Sequence, residues 1–184
     1  GKRIWYMAQG LDPDGLKTTV APPKSIGHGK VMPPNTRDRA TLLTYLRHMC
    51  HKVAARLRKH GLKSTHFYLA IRTSEGWLKT VAQSDAPCDD ETLIYRMTQQ
   101  FLAHAWQGEG IFQVQITAQK PSSTVQGDLF SRSDPQRMAQ NHVMDQINQR
   151  YGQLTLASAR LIGRSSMPDV IAPSWQPTGH RQTI

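Results

Sequence analysis

HFYLAIRTSEGWLKTVAQ, residues 66–83, is the stretch that decides the fold. Phe67, Leu69 and Ile71 alternate with His66, Tyr68, Ala70 and Arg72, so the first half reads as a strand with one apolar and one open face. Ser74-Glu75-Gly76 supplies a hairpin turn. Residues 77–84 return with Leu78, Thr80 and Ala82 on one side and Lys79, Val81 and Gln83 on the other. Alternation alone leaves open which side of this returning strand faces the core.

Upstream, Leu42, Leu46, Met49, Val53 and Leu57 advance by four, three, four and four, which predicts a helix over 37–60. Thr36 or Asp38 can cap its start, and Gly61 suits its end. The opposite side carries Arg47, His51, Lys52, Arg56, Lys59 and Lys63, and it reads as a solvated surface whose charge adds to the background field. Lys24 to Met32, KSIGHGKVM, is an irregular strand interrupted by glycine. Downstream, Asp89 or Asp90 caps a second helix with the stripe Leu93, Met97, Phe101 and Ala105, closed off by Gly108 and Gly110. Ile111 to Thr117 is a last strand. The expected fold is therefore α+β with the order βαββαβ: a four-stranded antiparallel sheet, both helices on one face, the other face free for a ligand.

The flanks differ in character. GKRIWYMAQGLDP at the start reads as the closing piece of something larger, and Asp12-Pro13-Asp14-Gly15 with Pro22-Pro23 reads as a linker. After Lys120 a polar, turn-rich run contains Leu129 and Phe130. Met138, Val143, Met144, Ile147 and Tyr151 then predict a further helix ended by Gly152, and residues 164–184 read as an extended tail containing Trp175. Lys and Arg outnumber Asp and Glu by 23 to 13, a net charge of +10 that draws the chain to polyanions, nucleic acid first. No stretch is apolar enough to span a bilayer, and no signal-peptide pattern opens the chain. Cys50 and Cys88 have neither disulfide-framework nor zinc spacing, so Cys50 reads as a small core residue.

Lys24-Ser25-Ile26-Gly27-His28, the Gly-Leu after a long basic helix, Arg72 ending a strand, the strand Thr80–Ser84, and QGDLF after the last strand stand in the order found in Y-family translesion DNA polymerases. The set resembles the DNA polymerase IV branch. The resemblance implies the end of a thumb and a linker at 1–19, a DNA-gripping little finger domain at 20–120, a linker with a peptide for the replication sliding clamp at 121–133, and an extension at 134–184. It implies contacts to duplex primer-template DNA from Lys24, Ser25, Gly27 and His28. Lys30, Arg72, Lys79 and Gln83 join them as candidates on or beside the open sheet face. Glycine permits close approach of backbone to phosphate, and basic side chains release counterions. The sequence departs from the family where Ala70 and Gln83 stand in place of common basic residues, and where Phe112 and Gln115 replace an Arg and a Gly-Val, which implies a weaker grip. In Gln126, Gly127, Asp128, Leu129 and Phe130, two apolar side chains can fill a preformed cleft while Gln126 hydrogen-bonds at its rim.

Catalysis is expected elsewhere. A polymerase needs paired carboxylates for two magnesium ions, whereas Asp89, Asp90 and Glu91 read as helix-start residues and Asp12 and Asp14 sit in a turn. His48 and His51 have helical spacing but lack a third ligand, so they read as surface residues. The chain itself is thus expected to carry no cofactor and no catalytic residue, with magnesium implied for a palm domain outside it. The whole protein would be a nucleotidyltransferase acting in DNA damage tolerance, cytoplasmic and nucleoid-associated. An RNA-binding module of similar topology is the alternative, weakened by the lack of an aromatic-rich central strand. A small enzyme on a ferredoxin-like fold is a third reading.

Overall fold

Thr73 pairs with Gly76 across Ser74-Glu75, and Gly76 adopts φ 135°, where a side chain would be strained. This tight hairpin joins β2 (Ser64–Thr73) to β3 (Gly76–Cys88), which runs four residues past the expected end at Ser84. The computed structural model describes residues 1–12, 22–123 and 134–161. Within them α1 (Lys2–Ala8) precedes β1 (Ser25–Thr36), and α2 (Arg39–Lys59) leads into the hairpin. After β3 come α3 (Glu91–Ala105), β4 (Ile111–Gln119), α4 (Pro135–Tyr151) and a 3-10 turn at Ala159–Leu161. The sheet order is β1-β4-β2-β3, antiparallel throughout, with α2 and α3 on one face, so the α+β, βαββαβ fold is the one formed.

Period-two alternation sorts the sheet into two faces. Phe67, Leu69 and Ile71 of β2, Val114, Ile116 and Ala118 of β4, and Ile26 and Met32 of β1 are buried beneath the helices. Ala70 lies opposite Lys79 and Ile71 opposite Leu78. This register answers the question left open by the sequence: Leu78, Thr80 and Ala82 face the helices, while Lys79, Val81 and Gln83 face outward.

Asp38 caps α2 by accepting from the backbone N–H of Ala40 and Thr41, and the chain leaves through Gly61 at φ 62°. The helix is buried on more than its apolar stripe. His48, His51 and Lys52 are all at most 7 % exposed, which corrects the expectation of a solvated charged side and of surface histidines. These polar groups have internal partners instead. Arg47 Nη2 donates to Glu91 Oε1 at 3.0 Å, His51 Nδ1 lies 2.6 Å from Glu91 Oε2, and Arg56 Nη1 donates to the Gly27 carbonyl at 2.8 Å. Burial would push the Glu91 carboxyl up, but its hydrogen bond to His51 and the nearby Arg47 and Arg58 charges hold it below the usual carboxylate range.

Asp90 caps α3. The fully buried positions of this helix are Ile94, Thr98 and Leu102, one residue round from the expected stripe. Leu93, Met97 and Phe101 pack against the core only in part. On this buried side Thr98 Oγ1 lies 3.6 Å from Cys50 Sγ. Cys50 is fully buried, as expected of a core residue, and burial pushes its thiol up to about 12. Ile4, Trp5, Tyr6 and Met7 of α1 are exposed, consistent with a piece that lacks a core of its own.

Glu91 fastens the start of α3 to α2 through Arg47 and His51, so its removal leaves the Arg47 charge uncompensated. We expect Glu91→Ala to cost about 3 kcal/mol of stability, read as a lower urea midpoint with an unchanged slope. A loss under about 0.5 kcal/mol would remove Glu91 from this role.

Candidate functional site

Pairing registers arrange the uncovered face as four rungs across the sheet. Ser25, Gln119, His66 and Gln83 form one; Gly27, Thr117, Tyr68 and Val81 the next; then Gly29, Gln115, Ala70 and Lys79; then Val31, Gln113, Arg72 and Trp77. Arg72 and Lys79 are exposed and stand on the adjacent strands β2 and β3. The β1–β4 half has no cationic side chain. It carries amides, hydroxyls and two glycines, and there a groove of about 430 Å³ opens between Ser25, Gly27, Gly29, Gln113, Gln115 and Thr117.

The groove exists because residue 27 has no side chain. A Cβ there would lie within van der Waals contact of the Thr117 side chain, so any other residue would displace Thr117 and fill the floor. Gln115 Nε2 donates to Thr117 Oγ1 at 3.4 Å, which leaves the Gln115 amide oxygen and the groove walls able to bond a polar ligand. The two halves offer different chemistry. One supplies point charges, beside the partly exposed Trp77 and Val81; the other supplies neutral hydrogen bonds with close access to backbone.

The structure brings Ser25, Gly27, Arg72, Lys79 and Gln83 together on this face, and leaves the exposed Lys24 just before β1. It does not bring His28 or Lys30. Both fall on the helix-facing side of β1, opposite Ile116 and Val114, because even and odd positions of a strand point opposite ways. The His28 side chain is buried, with no hydrogen-bond partner for Nδ1 among the described residues, although His28 is among the residues that line the groove. Burial, and the positive charges of Lys52, His48, Arg56 and Lys30, lower its pKa to about 4. Gln126, Gly127, Asp128, Leu129 and Phe130 lie outside the described residues, as do Asp14 and Trp175. Gln113, Gln115, Thr117, Tyr68 and Gly29 were not among the sequence candidates. For Gln113, Gln115 and Thr117 the signal was available in the alternation Gln-Val-Gln-Ile-Thr over 113–117.

Among the described residues no helix is long and apolar enough to cross a membrane. Residues 23–129 match the model of the impB/mucB/samB family C-terminal domain. Among solved structures, the chain is similar to a complex of the beta-clamp processivity factor and the little finger domain of PolIV: 11 % identity, TM-score 0.46, covering 59 % of this chain and 99 % of that one. It is also similar to the Y-family DNA polymerase chimera Dbh-Dpo4(243-245)-Dbh, at 16 % identity and TM-score 0.43, over 63 % of this chain and 33 % of that one. No curated protein gives a significant sequence match.

His28 gives β1 a pH dependence with a definite sign. Its folded pKa is depressed, so below about pH 6.5 the unfolded chain takes up a proton that the folded chain refuses. Stability is full above that pH and falls towards pH 4, by up to about 3 kcal/mol. His28→Leu is expected to flatten urea midpoints across this window. Parallel pH profiles for the two proteins would contradict the assignment.

Proposed function

The chain belongs to the impB/mucB/samB family, with residues 23–129 as the C-terminal domain that forms the little finger of Y-family DNA polymerases, and on that premise we propose that it grips duplex primer-template DNA with its open sheet face. The observation that carries this reading is the two-part character of that face. Exposed Arg72 and Lys79 suit phosphates of one strand, while the groove floored by Gly27 lets amides, hydroxyls and backbone approach the other. The domain itself is noncatalytic. Polymerisation belongs to the full-length enzyme, whose palm would supply the magnesium-binding carboxylates, and the setting is translesion synthesis in the cytoplasm at the nucleoid.

The second half of the proposal is a tether. Gln126 to Phe130 would dock on the replication sliding clamp by burying Leu129 and Phe130, keeping a weakly gripping polymerase near its template. The solved complex of a PolIV little finger with the beta clamp concerns another protein, and the motif in this sequence is what brings that partner to this chain. The residue ranges 1–19, 20–120, 121–133 and 134–184 divide the chain accordingly into thumb end, grip, tether and extension.

Three cations on or beside the face, Lys24, Arg72 and Lys79, should make duplex binding fall with salt at a log–log slope of about −2.7, and Arg72→Ala or Lys79→Ala should each reduce it by about 0.9. Fluorescence anisotropy over a salt series measures both. A slope unmoved by either change would place the DNA elsewhere, and preference for single-stranded RNA over duplex would favour an RNA-binding module. Separately, changing Leu129 and Phe130 together to Ala should abolish clamp binding in surface plasmon resonance while leaving DNA affinity intact. Survival of clamp binding would remove the tether.

A further inference from the structure

Trp77 follows directly on the turn of the β2–β3 hairpin and stands in the outermost rung of the open face, opposite Arg72. It is 43 % exposed. The other tryptophans among the described residues have company. Trp106 donates its Nε1–H to the Glu109 carbonyl at 2.9 Å and packs against the core, and Trp5 meets the Tyr6 ring edge-on at 5.1 Å. The Trp77 side chain makes no hydrogen bond or ring contact with any described residue. An indole offers a broad apolar face and one N–H donor, a combination suited to contacts that are dry on one side and wet on the other.

The backbone beneath the ring is held in place. Thr73 Oγ1 accepts from the Glu75 N–H at 3.2 Å and donates to the Gly76 carbonyl at 3.1 Å, while the Ser74 N–H donates to the Gly110 carbonyl at 3.1 Å. A ring carried on a fixed turn loses little freedom on contact. The charges around it select the sign of the occupant. Arg72 stands on the neighbouring strand, about 4.8 Å away in the pairing direction, and Lys79 follows two residues along the same face; both are exposed. Glu75, the nearest acid in sequence, sits in the turn. The occupant is therefore anionic and has a flat apolar face, which describes a nucleotide. Inside a duplex each base face is covered by its neighbours and the grooves show only edges. An exposed indole needs a base that is unpaired.

Resting on the duplex grip set out above, we propose that Trp77 is the stacking platform for an unpaired base of the template strand, so that this face recognises a primer-template junction rather than uninterrupted duplex. DNA lying along the four rungs reaches Trp77 at the hairpin end, and Arg72 and Lys79 hold phosphates beside the junction. Stacking of this kind tolerates any sequence, because every base has a π-face.

The test compares the whole chain on a blunt duplex and on the same duplex with a short 5′ extension of the template strand, by fluorescence anisotropy. The extended DNA is expected to bind about tenfold tighter. Trp77→Ala should erase that difference while leaving blunt-duplex affinity and its salt slope unchanged, and Trp77→Phe, which keeps an aromatic face, should retain most of it. Abasic sites throughout the extension should reproduce Trp77→Ala in the wild-type chain, a result independent of how any variant folds. Equal binding of the two DNAs by the wild-type chain would overturn the proposal. So would a preference that survives Trp77→Ala or the abasic extension, or equal weakening of both DNAs by Trp77→Ala. The salt series separates the proposal from its premise. Blunt duplex that binds with a slope dependent on Arg72 and Lys79 but gains nothing from the extension removes the stacking role alone, whereas a slope indifferent to both cations removes the grip itself.

Discussion

One carboxylate, that of Glu91, sits where α3 begins and takes bonds from Arg47 and His51 on α2. Taken singly, burying three ionisable side chains between helices is costly, and the arrangement holds only because each charge has a geometric partner. Arg47 also stacks over the Tyr95 ring, 4.8 Å from its centroid, a second contact between α2 and α3. With α2 and α3 locked to one another on one side of the sheet, no helix among the described residues covers the other side. The open face is thus a consequence of the helical layer being complete.

That face takes its character from small residues as much as from charged ones. Gly27 and Gly29 lower the floor of β1, and Arg56, reaching from α2 to the Gly27 carbonyl, holds the strand from behind. Basic side chains near β1 thus serve two ends. Arg56 bonds the strand and Lys52 is buried, while the exposed cations on the far half of the sheet are free to meet an anion. A net charge of +10 does not distinguish these uses.

The extension after the linker repeats the pattern. α4 has no buried residue, yet its Asp145 takes two bonds from Arg58 of α2, and its Arg137 pairs with Asp90 at the start of α3. Arg58 belongs to the helix whose charged side reads as solvated in the sequence. Its partners are 31 and 87 residues away, a separation at which no spacing rule operates.

Short-range order was legible in the amino-acid sequence because its causes are local. The period-two alternation of 66–83, the period of Leu42 to Leu57, the capping aspartates and the glycines after helices together specify βαββαβ and an uncovered face. The motif residues Ser25, Gly27, Arg72 and Lys79 also sit where alternation and order place them. Tertiary structure alone decided the rest. His28 and Lys30 turn inward because the register of β1 against β4 fixes which parity faces the helices, and a lone irregular strand does not reveal its parity. The charged side of α2 is interior because α3, β1 and the extension bring partners to it from distant parts of the chain. Periodicity records that a side chain is polar; whether it meets water or a buried counter-charge depends on what the fold packs against it.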